Sequence, residues 1–236
     1  MNEQERANKI LEILKKNYLL PIWARSKREV FETLIRTVLS QATNDLNRDR
    51  AFKNLSEKFE ITPKALAVAD LREIESAIRV GGLFRSKSRK IRKLSKLVVD
   101  RFDGSLSFVF SKPLDEARQL LMSFPGVGPK TADVVLLFSA DKAVVPVDTH
   151  VNRVARRLGL APLKGGYEVI RGSLESFYLP KDYLAVHLLF ISLGRTYCQA
   201  RNPKHEGCPV NFLCPTMKSQ SRKPGLHNLH GSPGFA

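Results

Sequence analysis

The segment F-P-G-V-G-P-K-T, which starts at Phe124, constrains this chain more than any other part of it. Gly126 and Gly128 can adopt backbone angles that side chains disfavour, so Gly-Val-Gly predicts a tight hairpin. Pro129 suits the first position of a helix, because its missing N–H would have no partner there. The apolar run that follows predicts a helix over residues 129–139. The chain is therefore expected to place a hairpin directly before a helix.

A helix that starts beside such a hairpin exposes unpaired backbone N–H groups, which together bind an anion such as phosphate. Lys130 falls in the first helical turn, where the helix dipole disfavours an ammonium and is expected to lower its pKa. An amine that loses its proton more readily is a better nucleophile. An ordinary loop before a buried helix would explain the glycines equally well.

A second short segment, V-D-T-H-V, follows an apolar run and contains Asp148. Val151, Val154 and Leu158 then fall at helical spacing. Asp148 is therefore predicted to be a helix N-cap, and capping alone would account for it. The spacing does not show that Asp148 faces Lys130.

Together, F-P-G-V-G-P-K-T-A-D-V-V and V-D-T-H-V resemble the helix-hairpin-helix DNA glycosylases, most closely the endonuclease III family. The hairpin, the lysine and the aspartate stand in that family's order and spacing. The resemblance implies that Lys130 attacks the sugar carbon C1′ of a damaged nucleotide and that Asp148 assists as the essential carboxylate. It also implies that the hairpin contacts DNA through Gly126, Val127 and Gly128, together with Lys130.

Two further segments carry the resemblance. L-S-Q-A-T contains Gln41, at the position of a family glutamine that reaches into the duplex near the extruded base. G-L-F contains Leu83, at the position of a leucine that lies near the lesion. Groups inserted there replace the stacking lost when a base is flipped out. Without the resemblance, Gln41 is simply a polar residue at a helix end.

The charge balance favours a polyanionic partner. Lys and Arg number 39 against 23 Asp and Glu, for a net charge of +16, and phosphate contacts release counterions. An anionic membrane or a ribosome would also suit this charge. One predicted helix face is strongly basic and is interpreted as a phosphate-contacting surface; its members are Lys87, Arg89, Lys90, Arg92, Lys93 and Lys96.

No apolar run approaches the roughly 20 residues that span a bilayer, and no signal-peptide core follows the polar N-terminus. We therefore expect no membrane partner and an intracellular location, in the cytoplasm or nucleoid if the source is prokaryotic.

The three cysteines lie in one short stretch, which favours a metal or cofactor over disulfides. Including His205, the gaps between Cys198, His205, Cys208 and Cys214 are six, two and five residues. The endonuclease III family holds a [4Fe–4S] cluster on four cysteines at this spacing, whereas here the second position is a histidine. We predict a cluster with His205 as fourth ligand. Zinc also suits this ligand set, and cysteines that merely pack are the third alternative.

Helical periodicity without any strand pattern predicts an all-α fold. The resemblance implies two lobes: a contiguous helical lobe with the hairpin (25–142), and a cofactor lobe with the cysteine loop (143–217) on which the N-terminal helix (1–24) packs. The active site would lie in the cleft between them. Residues 218–236 are interpreted as a disordered tail because they have little apolar content.

The function implied by the resemblance is that of a monomeric, bifunctional DNA glycosylase/AP lyase. It would excise oxidised pyrimidines from double-stranded DNA, or act at abasic sites, through a lysine Schiff base and β-elimination. One alternative is a monofunctional mismatch glycosylase, although such relatives generally lack the lysine. The other is a non-catalytic DNA-binding module that uses the hairpin only as a phosphate clamp.

Overall fold

A computed structural model describes residues 1–21 and 28–220, with side chains described up to residue 217. These residues form helices joined by loops and short 3₁₀ turns, with no strand among them. The α-helices are α1 (Glu3–Asn17), α2 (Val30–Ser40), α3 (Asp45–Lys58), α4 (Pro63–Val68), α5 (Leu71–Ala77), α6 (Phe84–Phe102), α7 (Phe108–Ser111), α8 (Leu114–Met122), α9 (Pro129–Ala140), α10 (Thr149–Arg157), α11 (Tyr167–Phe177), α12 (Tyr183–Thr196) and α13 (Pro215–Gln220).

Several helices start at a side chain that accepts hydrogen bonds from the first turn. Asn2 caps α1 in a capping box with Glu5, Asn44 caps α3, and Asp70 caps α5. Each cap satisfies a backbone N–H that would otherwise lack a partner. The helix predicted over residues 129–139 is present as α9, whereas the short α7 and α13 were not predicted.

One group of helices is formed by α2 to α9. Helix α4 packs along α6, α5 also contacts α6, and α2 packs against both α3 and α9. Between α2 and α9, the buried hydroxyl of Ser139 donates to that of Thr33 at 2.9 Å. This packing fixes α9, and hence the hairpin before it, against the body of the lobe.

The second group is formed by α1 and α10 to α12. Helix α10 packs on α12, and α1 contacts both α11 and α12. The Arg6 guanidinium of α1 donates to the carbonyl oxygens of Leu158, Gly159 and Leu213. The N-terminal helix is thus tied to segments from the far end of the chain. Both groups share a continuous apolar core.

At the C-terminus, α13 (Pro215–Gln220) extends past residue 218, where the tail was predicted to begin. The rest of that predicted tail lies outside the described residues. Within the described part of the chain, each helix is too short or too polar to cross a membrane.

Candidate active site, DNA interface and cluster loop

The hairpin before α9 is anchored by buried aromatic packing at Phe124 and is open at Gly128. Phe124 is 2% exposed, and its ring packs edge-on against those of Phe102 and Phe108. Gly126 has φ +80°, a conformation that favours glycine. Gly128 has φ −98° and an extended backbone, so the expectation that it too needs a special conformation was wrong. A Cβ on Gly128 would meet nothing within 4 Å, so this edge of the hairpin has room for a ligand.

The N-terminus of α9 presents backbone donors at this open edge. Gly128 is its N-cap, and Pro129 begins the helix. The carbonyl of Gly128 accepts from Ala132 N–H at 3.0 Å. Among the described residues, the N–H groups of Gly128, Lys130 and Thr131 have no acceptor. Together with the helix dipole they form a site suited to a phosphate.

Lys130 lies in the first turn of α9 and is partly buried. Burial lowers the pKa of Lys130; the Asp148 carboxylate opposes this shift, and the Arg48 guanidinium of α3 adds to it. Lys130 donates no hydrogen bond to any described residue. Its amine therefore loses its proton more readily than that of an ordinary lysine, and it has no hydrogen-bond partner among the described residues.

Asp148 caps α10 as predicted, because its Oδ1 accepts from Val151 N–H at 2.7 Å. The other carboxylate oxygen accepts no hydrogen bond from the described residues. The carboxylate raises the pKa of Lys130, which places the two groups in one electrostatic environment. The structure thus brings together two residues that the sequence left unconnected.

Gln41 bridges the end of α2 to the hairpin. Its Nε2 donates to the carbonyl of Gly126 at 3.1 Å, and its Oε1 accepts from Lys90 Nζ at 3.1 Å. A Cβ on Gly126 would come within 2.9 Å of Lys90 Cδ, so this corner is tightly packed. Leu83, the N-cap residue of α6, is 62% exposed and has φ +47°. Gln41 therefore lies at the hairpin, and Leu83 projects from the turn before α6.

The interpretation of Lys87 as a member of the exposed basic face was wrong. Lys87 is 1% exposed, and its Nζ donates to the carbonyls of Leu39 at 2.7 Å and Gly81 at 2.8 Å. It joins the C-terminal end of α2 to the turn that precedes Leu83. Of the remaining basic residues of that face, Arg89, Lys93 and Lys96 are exposed, whereas Arg92 and Lys90 are partly buried.

The C-terminal loop gathers the four predicted ligands. Cys198, His205, Cys208 and Cys214 line one enclosed cavity, and all three cysteines are free. The Nε2 atom of His205 is buried and has no hydrogen-bond partner, the only such side-chain atom in the described part of the chain. Buried polar atoms are rarely left unpaired, so these residues fit a bound metal group.

Comparison with known proteins identifies the family. Endonuclease III of Sulfolobus acidocaldarius is 36% identical over 188 residues, covering 79% of this chain and 82% of that protein. Endonuclease III of Bacillus subtilis is 33% identical over 193 residues, covering 82% and 84%. Residues 35–178 match the HhH-GPD superfamily of base excision DNA repair proteins, and residues 198–214 match the iron-sulfur binding domain of endonuclease III. The chain belongs to the endonuclease III family.

The solved structures agree with this assignment. A trapped covalent intermediate of an endonuclease III with DNA has a TM-score of 0.81 and 32% sequence identity, covering 94% of this chain and 100% of that chain. A thermostable thymine-DNA glycosylase has a TM-score of 0.71 at 19% identity and shares the fold. The chain is thus a DNA-binding base excision repair enzyme. The predicted all-α fold, the class of DNA glycosylase and AP lyase, and the [4Fe–4S] cluster are confirmed.

A hydrogen-bond network that the sequence did not predict connects α9 to the segment before α10. The Asp133 carboxylate, fully buried on α9, accepts from Arg118 Nε at 2.6 Å and from the Tyr167 hydroxyl at 2.7 Å. Tyr167 in turn accepts from Val147 N–H at 3.1 Å. This chain of bonds joins the helix of Lys130 to the residue before Asp148. The signal in the sequence was a lone acidic residue, Asp133, within an apolar helix.

His187 of α12 lies near Lys130 and Asp148. Its Nδ1 donates to the Pro146 carbonyl at 2.8 Å, which fixes the tautomer of a neutral ring. Burial lowers the pKa of His187 to about 4, with Asp148 opposing and Lys130 contributing. A neutral imidazole therefore lies beside the lysine and the carboxylate.

Proposed function

We propose that this enzyme is a bifunctional DNA glycosylase/AP lyase that excises oxidised pyrimidines, with Lys130 as nucleophile and Asp148 as the assisting carboxylate. The observation that carries the proposal is the environment of Lys130. Its pKa is lowered by burial, Asp148 is electrostatically coupled to it, and no described residue accepts its hydrogens. A lysine placed in this way is suited to covalent catalysis.

DNA binding would begin with the backbone. The free N–H groups at the start of α9 suit one phosphate, and the exposed basic residues of α6 suit others. A damaged nucleotide would then leave the stack, which costs less where damage has weakened pairing. We propose that Gln41 and Leu83 fill the space left behind, since both lie at the surface next to segments that Lys87 and Lys90 hold in place.

The chemical steps would follow at C1′ of the flipped nucleotide. The neutral Lys130 amine forms a bond to C1′ while the bond from C1′ to the base breaks, and the base leaves with the electron pair and gains a proton. The adjacent Asp148 carboxylate stabilises the positive charge that develops on the sugar. Opening of the sugar gives an imine between Lys130 and C1′. Loss of a C2′ proton then expels the 3′-phosphate, which is β-elimination.

Reductive trapping tests the proposal. Borohydride reduces an imine to a stable amine, so wild-type enzyme with lesion-bearing duplex should yield a covalent protein–DNA adduct. Lys130→Ala should give none, whereas Lys9→Ala, at an exposed lysine of α1, should trap like the wild type. Base release without an adduct would support a monofunctional glycosylase instead. Absence of both would support a non-catalytic binding module.

A panel of duplexes tests the substrate. We propose that double-stranded DNA with an oxidised pyrimidine or an abasic site is cleaved by a single copy of the chain. The same panel should include a mismatch and an alkylated purine. Preferential release of a mismatched base would contradict the proposed specificity. Adduct yield that is linear in enzyme concentration, with a monomer in sedimentation, would support action as a single copy.

A further inference from the structure

We propose that His205 Nε2 is the fourth ligand of the iron–sulfur cluster, so that one iron is held by imidazole and three by thiolates. The first observation is the state of that atom. Nε2 is buried and unpaired, while the residue as a whole is only partly buried. An unpaired buried nitrogen costs about 1–3 kcal/mol. Coordination to iron removes that cost, because a neutral imidazole nitrogen is a metal ligand.

No described residue hydrogen-bonds to this nitrogen. The cavity that His205 faces is lined by the three cysteines and by the buried Leu158 and Leu193, which are 3% and 1% exposed. Its polar and charged lining residues are Arg157, Tyr197, Lys204 and Asn211. Cys198, His205 and Cys208 reach it from the loop after α12, and Cys214 directly follows the 3₁₀ turn at Asn211–Leu213.

The arrangement favours a cluster over a single ion. A tetrahedral zinc holds its ligands at about 2.0–2.3 Å, so all of them must crowd around one point. Among residues 1–21 and 28–220, no three His, Cys, Asp or Glu side chains are placed to hold one metal ion. The four residues nevertheless enclose a common cavity. A group with several irons reaches ligands that are further apart.

Replacing a thiolate by a neutral imidazole has an electrostatic consequence. The ligand set carries one negative charge fewer than four cysteines would, and the net charge of a cluster helps to set its reduction potential. The Arg157 guanidinium, whose Nη1 donates to Cys198 Sγ at 3.5 Å, adds positive charge to the lining. The reduction potential should therefore be more positive than in a His205→Cys variant.

Spectroscopy of the purified holoprotein tests this ligand. In ⁵⁷Fe-enriched protein, Mössbauer spectra should show one iron of four with distinct parameters, and the reduced cluster should show nitrogen hyperfine coupling that changes on ¹⁵N-histidine labelling. His205→Cys should make the four irons alike and abolish the nitrogen coupling. Glu206→Gln, at an exposed neighbour, should leave both signals unchanged.

Several outcomes would overturn the proposal. These are four equivalent irons and no nitrogen coupling in the wild type, a colourless protein with stoichiometric zinc, or equal reduction potentials in wild type and His205→Cys. His205→Ala should lose iron to a chelator faster than the wild type, and equal rates would count against ligation. None of these measurements involves DNA, so their failure is distinguishable from failure of the borohydride trapping.

Discussion

The starts of α6 and α9 each place a lysine whose pKa is lowered by burial, yet the two lysines have opposite surroundings. Lys87 donates to two backbone carbonyls, at 2.7 and 2.8 Å. Lys130 has no hydrogen-bond acceptor among the described residues and is coupled to a carboxylate. Burial and a lowered pKa therefore do not distinguish a nucleophile from a structural lysine. We propose that free hydrogen-bonding capacity beside a carboxylate does.

The largest expected effect is at Asp148. Asp148→Asn keeps an oxygen that can cap α10, so the fold and DNA binding should be retained. Losing the carboxylate should lower the rate of base release by about 10²–10⁴-fold, the usual scale for one catalytic side chain. Single-turnover kinetics with a damaged duplex measures this. An unchanged rate would show that Asp148 has no role in the mechanism. Lys130 would then lack the functional partner that is proposed to distinguish it from Lys87.

A stability measurement separates the two lysines. Lys87→Met leaves the Leu39 and Gly81 carbonyls without their donor and should cost about 1–3 kcal/mol of unfolding free energy in urea titration. Lys130→Met breaks no hydrogen bond and should change stability by less than about 1 kcal/mol. Lys93→Met, at an exposed position of α6, is the control. Equal destabilisation by Lys87→Met and Lys130→Met would refute the distinction.

The smallest effect expected is a shift in the pH dependence of the rate of imine formation. Raising the pH deprotonates Lys130, so the rate of imine formation should rise with pH, with its midpoint below the ordinary lysine value of 10.5. Arg48→Met removes a positive charge that lowers the pKa of Lys130, so the rise should move to higher pH. Comparison of pH–rate profiles measures the shift. Movement to lower pH would mean that Arg48 does not act on Lys130 through its charge.

Local sequence predicted most of the fold because helix periodicity, caps and helix-breaking residues are all local signals. Helix α7 was not predicted because four residues are too few to show helical periodicity. Lys87 was wrongly assigned to the exposed basic face, because its charge was given more weight than its position on the helix. It precedes the buried Ile91 by four residues and so lies on the same helix face.

The site was only partly predictable. Lys130 and Asp148 stand in recognisable segments, but the link from Asp133 through Tyr167 to Val147 joins residues far apart in sequence. Such bonds depend on how α9 and α11 pack, which no local pattern encodes. The four proposed ligand positions were predicted from the spacing shared with the family, whereas the buried, unpaired state of His205 Nε2 is visible only in the packed loop.

The attachment of α1 to the end of the chain has a consequence for synthesis. The ribosome releases α1 before the other described helices, but the carbonyls that accept hydrogen bonds from Arg6 belong to Leu158, Gly159 and Leu213, which are made much later. The apolar face of α1 therefore lacks its native partners while the hairpin lobe is translated and folds. Its docking can be completed only when the cysteine loop is made, so α1, which is translated before the other described helices, is among the last to reach its native position.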